Sequence, residues 1–326
     1  MHDQQSGTDS IYRTTEAVGD AWSWLVLREA ILYNVSRFVE FHDRLGIARS
    51  TLSARLSQLV DGGLLVRSPT GQAGTDYQLT ASGHDFFGCL MTAMTWGDRW
   101  CYPGALSPQA VIHLGCGQNA RPGLRCGSCH RPIYPSDVRP IDPQRRLGWA
   151  GQPRQRRRAP GYELLERARP CSIARTQVSM GDWWSGLLIR EAFFGARRFD
   201  EFQVNLNMAT NILSARLARL VEHGILSQIR YQDRPARYEY RLTEKGLDLY
   251  PVPLSMIMWG DRWKSPDSPP ITLFHNPCGR RLVGVLSCGS CAEPITRADV
   301  DILRSGHVRT PVLRITPVRS QSNLHK

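Results

Sequence analysis

Apolar residues Leu52, Leu56, Leu59 and Val60 recur at i, i+4, i+7 and i+8, one face of a helix. The same spacing returns at Leu213, Leu217, Leu220 and Val221. Both stripes sit in nearly the same text, LSARLSQLVDGGLL at 52–65 and LSARLARLVEHGIL at 213–226. Upstream, amphipathic stretches around Trp22–Tyr33 and Trp184–Phe194 predict a first helix in each copy. Short segments holding Phe38, Phe41 and Leu45, or Phe199 and Phe202, predict a second. The third helix begins near Ala48–Thr51 or Ala209–Asn211, and Gly62–Gly63 or Gly224 stands where a C-cap belongs. Strand-like runs follow, LLVR with DYQL and ILSQI with YEYRL, separated by turn-rich loops. In the segment LTxxG, Thr80 or Thr243 is placed to N-cap a further helix that ends in WGDRW.

The repetition is long. DSIYRTTEAVGDAWSWLVLREA (9–30) matches CSIARTQVSMGDWWSGLLIREA (171–192), WGDRW occurs at 96–100 and 259–263, and HLGCGQNARPGLRCGSC (113–129) matches HNPCGRRLVGVLSCGSC (275–291). A near-constant offset over this length means a duplicated domain, not a short solenoid unit. Helix, helix, turn, helix, β-hairpin, helix is the winged helix-turn-helix plan. The expected fold is α+β and mainly helical: two tandem winged helix-turn-helix domains, each followed by a small zinc-ribbon-like His/Cys motif. The expected boundaries are 9–105 and 106–138 for the first copy, 139–170 for a basic linker, 171–266 and 267–303 for the second copy, and 304–326 for a basic tail.

In such a plan the N-terminal residues of the third helix reach base edges in the major groove. The candidates are Arg49, Ser50, Thr51, Ser53 and Arg55 in the first copy, and Thr210, Asn211, Ser214 and Arg216 in the second. Arg suits guanine, Asn suits adenine, and Ser or Thr suits either a base or a phosphate. The second hairpin loop, RYQDRPARYEY, adds Arg230, Arg234 and Arg237, placed to lie along phosphates; the first is two residues shorter and has only Arg67. A Leu stripe alone shows only packing on a core, so a protein-binding module is the competing reading.

The second copy resembles the HxlR family of bacterial winged-helix transcriptional regulators. Cys171 with SIART, Trp184, LLIREAFFGARRFDEF, NILSARLARLVEHGIL and RYQDRPARYEYRLTEKG carry the resemblance. It covers 171–263 closely and 9–100 more loosely. It implies DNA read by the third helix, dimerisation through terminal helices, and control of transcription. The first copy departs from the pattern: its wing lacks the RPxRxEY run, and ARSTLSARL replaces ATNILSARL. Either it reads a different sequence or it serves as a dimerisation partner. Two such domains in one chain suggest an internal pseudo-dimer that reads an asymmetric operator in double-stranded DNA. The sequence also allows two chains to associate further, and it names no effector.

His113-x2-Cys116-x9-Cys126-x2-Cys129 forms one Cys/His set and His275-x2-Cys278-x9-Cys288-x2-Cys291 the other. Three thiolates and an imidazole suit tetrahedral Zn2+, with two ligands presented by each CxxC knuckle. The expectation is one closed structural zinc site per copy, with the Gly of CGSC helping the knuckle to turn. A redox CxxC and small buried thiols are the alternatives; the redox reading leaves the His and the third Cys unexplained. Cys171 stands apart, where family resemblance implies a possible redox or electrophile sensor. Its counterpart is Asp9, so the fold does not need the thiol, and sensing would require an exposed, low-pKa thiolate. Otherwise it is an inert buried thiol. Cys89 and Cys101 read as packing residues.

The formal net charge of +12 over 326 residues favours a polyanionic partner. Residues 139–169 hold nine Arg against three acids, so much of the excess is concentrated in the linker. GQPRQRRRAPG (151–161) is either a phosphate-binding tether or a solvated spacer. No apolar run approaches the roughly 20 residues of a membrane span, and the polar N-terminus lacks a signal peptide's apolar stretch. The expected setting is soluble and cytoplasmic, on the nucleoid, with no membrane partner. No phosphate-cradling Gly loop, HExxH or GxSxG is present, so no enzyme is expected.

Overall fold

The computed structural model describes residues 10–70, 74–102, 107–140, 160–267 and 269–304. The first copy runs α1 (Ser10–Val18), α2 (Ala21–Tyr33), α3 (Phe38–Leu45), α4 (Arg49–Asp61), β1 (Leu65–Thr70), β2 (Gly74–Leu79), α5 (Ala81–Asp85) and α6 (Phe87–Cys101). Three short strands follow: β3 (Gln109–His113), β4 (Gly123–Cys126) and β5 (Val138–Pro140). A single helical turn, α7 (Tyr162–Leu165), precedes the second copy. That copy repeats the order as α8 (Ser172–Met180), α9 (Trp183–Phe193), α10 (Phe199–Leu206), α11 (Thr210–Glu222), β6 (Leu226–Gln232), β7 (Arg237–Leu242), α12 (Glu244–Asp248) and α13 (Pro251–Lys264). It ends with β8 (Leu273–His275), β9 (Arg280–Arg281), β10 (Gly284–Ser287) and β11 (Val300–Arg304).

Local chemistry sets the element ends. The carboxylates of Asp20 and Asp182 accept from the backbone amides of Trp22 (3.1 Å) and Ser185 (3.2 Å), capping α2 and α9. The hydroxyls of Thr80 and Thr243 accept from the amides of Gly83 (3.1 Å) and Gly246 (3.0 Å). The Leu stripes of α4 and α11 are fully buried at Leu52, Leu56 and Leu59, and at Leu213, Leu217 and Leu220. The wings are the antiparallel hairpins β1–β2 and β6–β7.

The copies embrace each other. α1 of the first packs along α13 of the second, α8 of the second packs along α6 of the first, and α6 meets α13. The side-chain contacts are reciprocal, as a two-fold interface between like surfaces requires. Ser10 donates to Asp261, and Ser172 donates to Asp98. Thr14 donates to the Met256 carbonyl (2.8 Å), and Thr176 to the Ala93 carbonyl (2.7 Å). Trp259 Nε1 donates to the Ser82 carbonyl (2.8 Å), and Trp96 Nε1 to that of Lys245 (3.0 Å). Trp263 and Trp100 donate to Asp85 and Asp248, each at 2.7 Å. At the centre, the hydroxyls of Thr92 and Ser255 meet at 3.1 Å. The chain is therefore an internal pseudo-dimer.

This arrangement explains the repeated WGDRW. A Cβ on Gly97 would overlap the Ser172 carbonyl, and one on Gly260 would overlap that of Ser10. Only glycine lets these helices approach so closely. Gly97→Val is expected to lower stability by about 1–3 kcal/mol, the usual cost of overpacking. Gly88→Ala, on the same helix with open space at its Cβ, is expected to show no such loss in the same denaturant titration.

The strands cross between copies as well. β3 pairs with β11, β4 with β10, and β5 with β8, which also pairs with β9. The ribbon expected after each winged domain is thus corrected: among the described residues, every strand of that region except the short β9 pairs with one from the opposite copy.

Candidate nucleic-acid interface and Cys/His clusters

α4 and α11 each bury the Leu stripe and turn the opposite side to solvent. Arg49, Ser50 and Ser53 are exposed, and Thr51 is half-buried. In the second copy Thr210, Asn211 and Ser214 are exposed. Arg49 also lies over the Phe38 ring, 5.1 Å from its centroid, which anchors its stem against α3. These residues present hydroxyl and guanidinium groups at the N-terminal end of α4, and hydroxyl and amide groups at that of α11, where the first backbone amides of a helix also face outward toward an anion.

Arg55 and Arg216 are placed differently from their neighbours. Arg55 makes two bonds to the Asp20 carboxylate, 2.9 Å and 2.5 Å, and Arg216 pairs with Asp182. These acids are the N-caps of α2 and α9, so each guanidinium ties the third helix to the start of the first long one. The sequence pattern could not show this, because the acid lies some 35 residues upstream.

The second wing carries exposed Arg230, Arg234 and Arg237 around its tip. Arg230 pairs with Asp233 (3.2 Å) and donates to the Asp233 carbonyl (2.9 Å), bracing the turn. In the first wing Arg67 donates to Ser57 Oγ of α4 at 2.6 Å, and residues 71–73 at its tip lie outside the described residues. So do residues 141–159 of the linker expected at 139–170, residues 305–326 of the tail, and Asp9.

All eight Cys/His candidates come together, but not in the sets expected. One cluster is His113 and Cys116 with Cys288 and Cys291; the other is Cys126 and Cys129 with His275 and Cys278. The expectation of one site per copy is corrected: each HxxC meets the CxxC of the opposite copy. The strand register is the cause. β11 follows the second knuckle and sets Val300 opposite His113, while β5 follows the first and sets Val138 opposite His275. The ligand atoms of each cluster lie within 4.8 Å of one another. His113 Nδ1 is 3.3 Å from Cys116 Sγ and 3.3 Å from Cys291 Sγ, and Cys116 Sγ is 3.9 Å from Cys288 Sγ. In the other cluster His275 Nδ1 lies 3.4 Å from both Cys129 and Cys278, and Cys126 Sγ is 3.9 Å from Cys278 Sγ.

The role expected of the CGSC glycine also changes. Neither Gly127 nor Gly289 has a left-handed φ. Instead their amides donate across the copies, Gly127 to the Val283 carbonyl (2.7 Å) and Gly289 to that of Ala120 (2.5 Å). A Cβ on Gly289 would crowd the carbonyl oxygens of Ala120 and Arg121. Burial raises the Cys126 and Cys288 thiols, but the knuckle amides of Cys129 and Ser128, and of Cys291 and Ser290, outweigh it and hold both below the ordinary thiol range.

The remaining thiols are sequestered. Cys171 is 1 % exposed and its Sγ accepts from the Ala174 amide at 3.4 Å, at the N-cap of α8. That placement matches the inert-thiol alternative, since sensing requires access. Cys89 is buried on α6, where burial pushes its thiol up to about 12, and Cys101 is half-buried on the same helix.

The family model described as HxlR-like helix-turn-helix matches residues 17–105 and 179–268, together more than half of the chain. The chain belongs to the HxlR-like helix-turn-helix family. It is 40% identical over 139 residues to a Mycobacterium bovis protein named as an uncharacterized HTH-type transcriptional regulator, covering 42% of this chain and 88% of that one. A Bacillus subtilis protein, YdeP, carries the same description and is 33% identical over 95 residues, 29% of this chain and 74% of its own. Among solved structures, PA1607, a transcription-factor candidate, is 36% identical and covers 40% of this chain and 91% of its own, with a TM-score of 0.37. This HxlR-like chain is a DNA-binding transcriptional regulator with two helix-turn-helix heads. No helix among the described residues is long and apolar enough to cross a membrane.

Proposed function

We propose that both heads engage one stretch of double-stranded DNA, each by its third helix, and that the operator is asymmetric. The observation that carries this is the reciprocal docking of the copies, which leaves the polar sides of α4 and α11 in solvent. Ser50, Thr51 and Ser53 read one half-site, and Thr210, Asn211 and Ser214 the other. Arg49 contacts phosphate or guanine nearby. Arg55 and Arg216 hold the helices at their angle through Asp20 and Asp182. Arg230, Arg234 and Arg237 lie along the backbone beside the second half-site only. The protein works in the cytoplasm and carries out no turnover of its own.

The two Cys/His clusters are structural zinc centres. Tetrahedral Zn2+ with sulfur at about 2.3 Å and nitrogen at about 2.0 Å separates its ligand atoms by about 3.5–3.8 Å. The 3.3–3.9 Å between neighbouring ligand atoms fits that geometry. The ligands of each cluster fill four positions, which suits structure and not catalysis.

Selection from random duplex DNA, followed by binding across a salt series, tests the operator reading. The expected product is one pair of unlike half-sites about one helical turn apart, roughly 34 Å, with preference retained at physiological salt. Affinity that collapses equally for all sequences would leave only electrostatic attraction. Replacing Arg234 and Arg237 with Ala is expected to weaken binding to all sequences alike. It should reduce the slope of log affinity against log salt by about one for each phosphate that is no longer neutralised.

A further inference from the structure

We propose that the two centres are clasps between the copies: each zinc binds only when both halves of the chain are docked, and its binding fixes the spacing of the two heads. The inference rests on reading the clusters as zinc centres, and goes beyond it in assigning which ligands share an ion.

Neither copy holds a complete site. The first supplies His113 and Cys116 to one centre and Cys126 and Cys129 to the other; the second supplies Cys288 with Cys291, and His275 with Cys278. The division follows from the topology. In each copy the strand after the CxxC knuckle crosses over and lies against the His-bearing strand of the other copy. The β4–β10 pairing places Cys126 opposite Gly284, and the knuckle amides of Gly127 and Gly289 bond across the same seam. A small core of Leu124, Ile133, Leu254, Leu273 and Leu282, drawn from both copies, lies beside Cys126.

His275 is fully buried, and its Nε2 has no hydrogen-bond partner among the described residues. Its Nδ1 faces the thiols of Cys129 and Cys278, each at 3.4 Å. A ring set in this way is costly unless something strong holds Nδ1, and a metal ion does so. Binding free energy at a site that exists only after docking is docking free energy. The clasps sit at the ends of strands β3 and β8, which pack against the helical seam: Leu254 of α13 shares a core with Cys126, and Cys288 lies in the core that α1, α6 and α8 also line.

Two double variants of the full chain decide the pairing, because each removes two thiols and they differ only in which two. Cys116→Ser with Cys291→Ser removes ligands of one centre. Cys116→Ser with Cys126→Ser removes one ligand from each. Zinc is counted per folded chain by elemental analysis, and helical content is checked by circular dichroism. Cobalt(II) substitution reports the ligand field of any remaining site. The expected counts are two for the unaltered chain, one for the first variant with an intact three-sulfur, one-nitrogen cobalt spectrum, and none for the second. Counts of two, none and one would place both centres within single copies and overturn the clasp, while leaving the zinc reading in place. Equal counts in the two variants would overturn the clasp too. An unaltered chain that purifies without zinc and takes up no cobalt(II) would overturn both readings. Chelation of the unaltered chain is then expected to lower affinity for the two-half-site operator about 100-fold while leaving single half-site binding intact. Equal binding with and without metal would mean that the clasps do not set head spacing.

Discussion

Replacing Thr210, Asn211 and Ser214 together with Ala is expected to reduce affinity for the full operator by about 100-fold or more. Two linked heads gain roughly 10²–10⁴ over one, because the second engagement is intramolecular. Disabling α11 removes that gain along with the base contacts themselves, each good pair being worth about 1–3 kcal/mol of discrimination. The loss should not come from misfolding. All three side chains are exposed, and Ala is the better helix former at each position. The measurement is fluorescence anisotropy on the selected operator and on each half-site, at fixed salt. The mutated chain should bind the first half-site as before and the second no better than unrelated DNA. The companion replacement of Ser50, Thr51 and Ser53 asks the same of α4. A full loss there makes copy one a reading head despite its altered ARSTLSARL segment. An unchanged affinity would assign copy one to docking alone and reduce the operator to a single site.

The helices that bear on DNA were legible because a Leu stripe is a local signal. Periodicity reports which side of a segment is buried, and Leu52, Leu56 and Leu59 are indeed buried, but not what buries it. That limit shows at Gly97 and Gly260. Their repetition was visible, yet the reason for it is a carbonyl on a helix of the other copy. It shows again at Arg55 and Arg216. Both look like base-reading residues by position, and both are paired with a capping carboxylate. The Cys/His clusters are the clearest case. All eight candidate ligands could be picked by spacing, since an HxxC and a CxxC have the right reach. With two copies of each half-site in one chain, however, spacing fits a site within a copy and a site between copies equally well. Only the crossing of β5 and β11 separates the two. Duplication doubles the signal for an element and at the same time hides which partner it takes.

Glu29 marks where the copies stop being equivalent, and Glu29→Ala is expected to cost about 3–5 kcal/mol, the usual penalty for leaving a buried charge without its partner. Its carboxylate is wholly buried and meets three guanidiniums: Arg28 at 2.6 Å, Arg44 at 2.6 Å, and Arg169. Arg169 arrives from the segment just before α8, so this acid ties the entry to the second copy against the first. Among the described residues the corresponding Glu191 meets Arg190 (2.6 Å) and Asn205 (2.8 Å), a single guanidinium, and Glu191→Ala is expected to cost less. Burial alone would raise the Glu29 carboxyl, but Arg28 and Arg169 outweigh it and hold it below the usual carboxylate range. The sign of the pH dependence follows. A depressed folded value means that the unfolded chain takes up the proton first, so stability falls as pH falls. The advantage of the unaltered chain over Glu29→Gln should be complete at neutral pH. It should begin to shrink near the ordinary glutamate value of about 4.3 and vanish below the lower folded one. Urea titrations of both chains between neutral and acid pH measure that difference directly. A gap that stays constant with pH would mean that Glu29 acts through its shape and hydrogen bonds, not its charge.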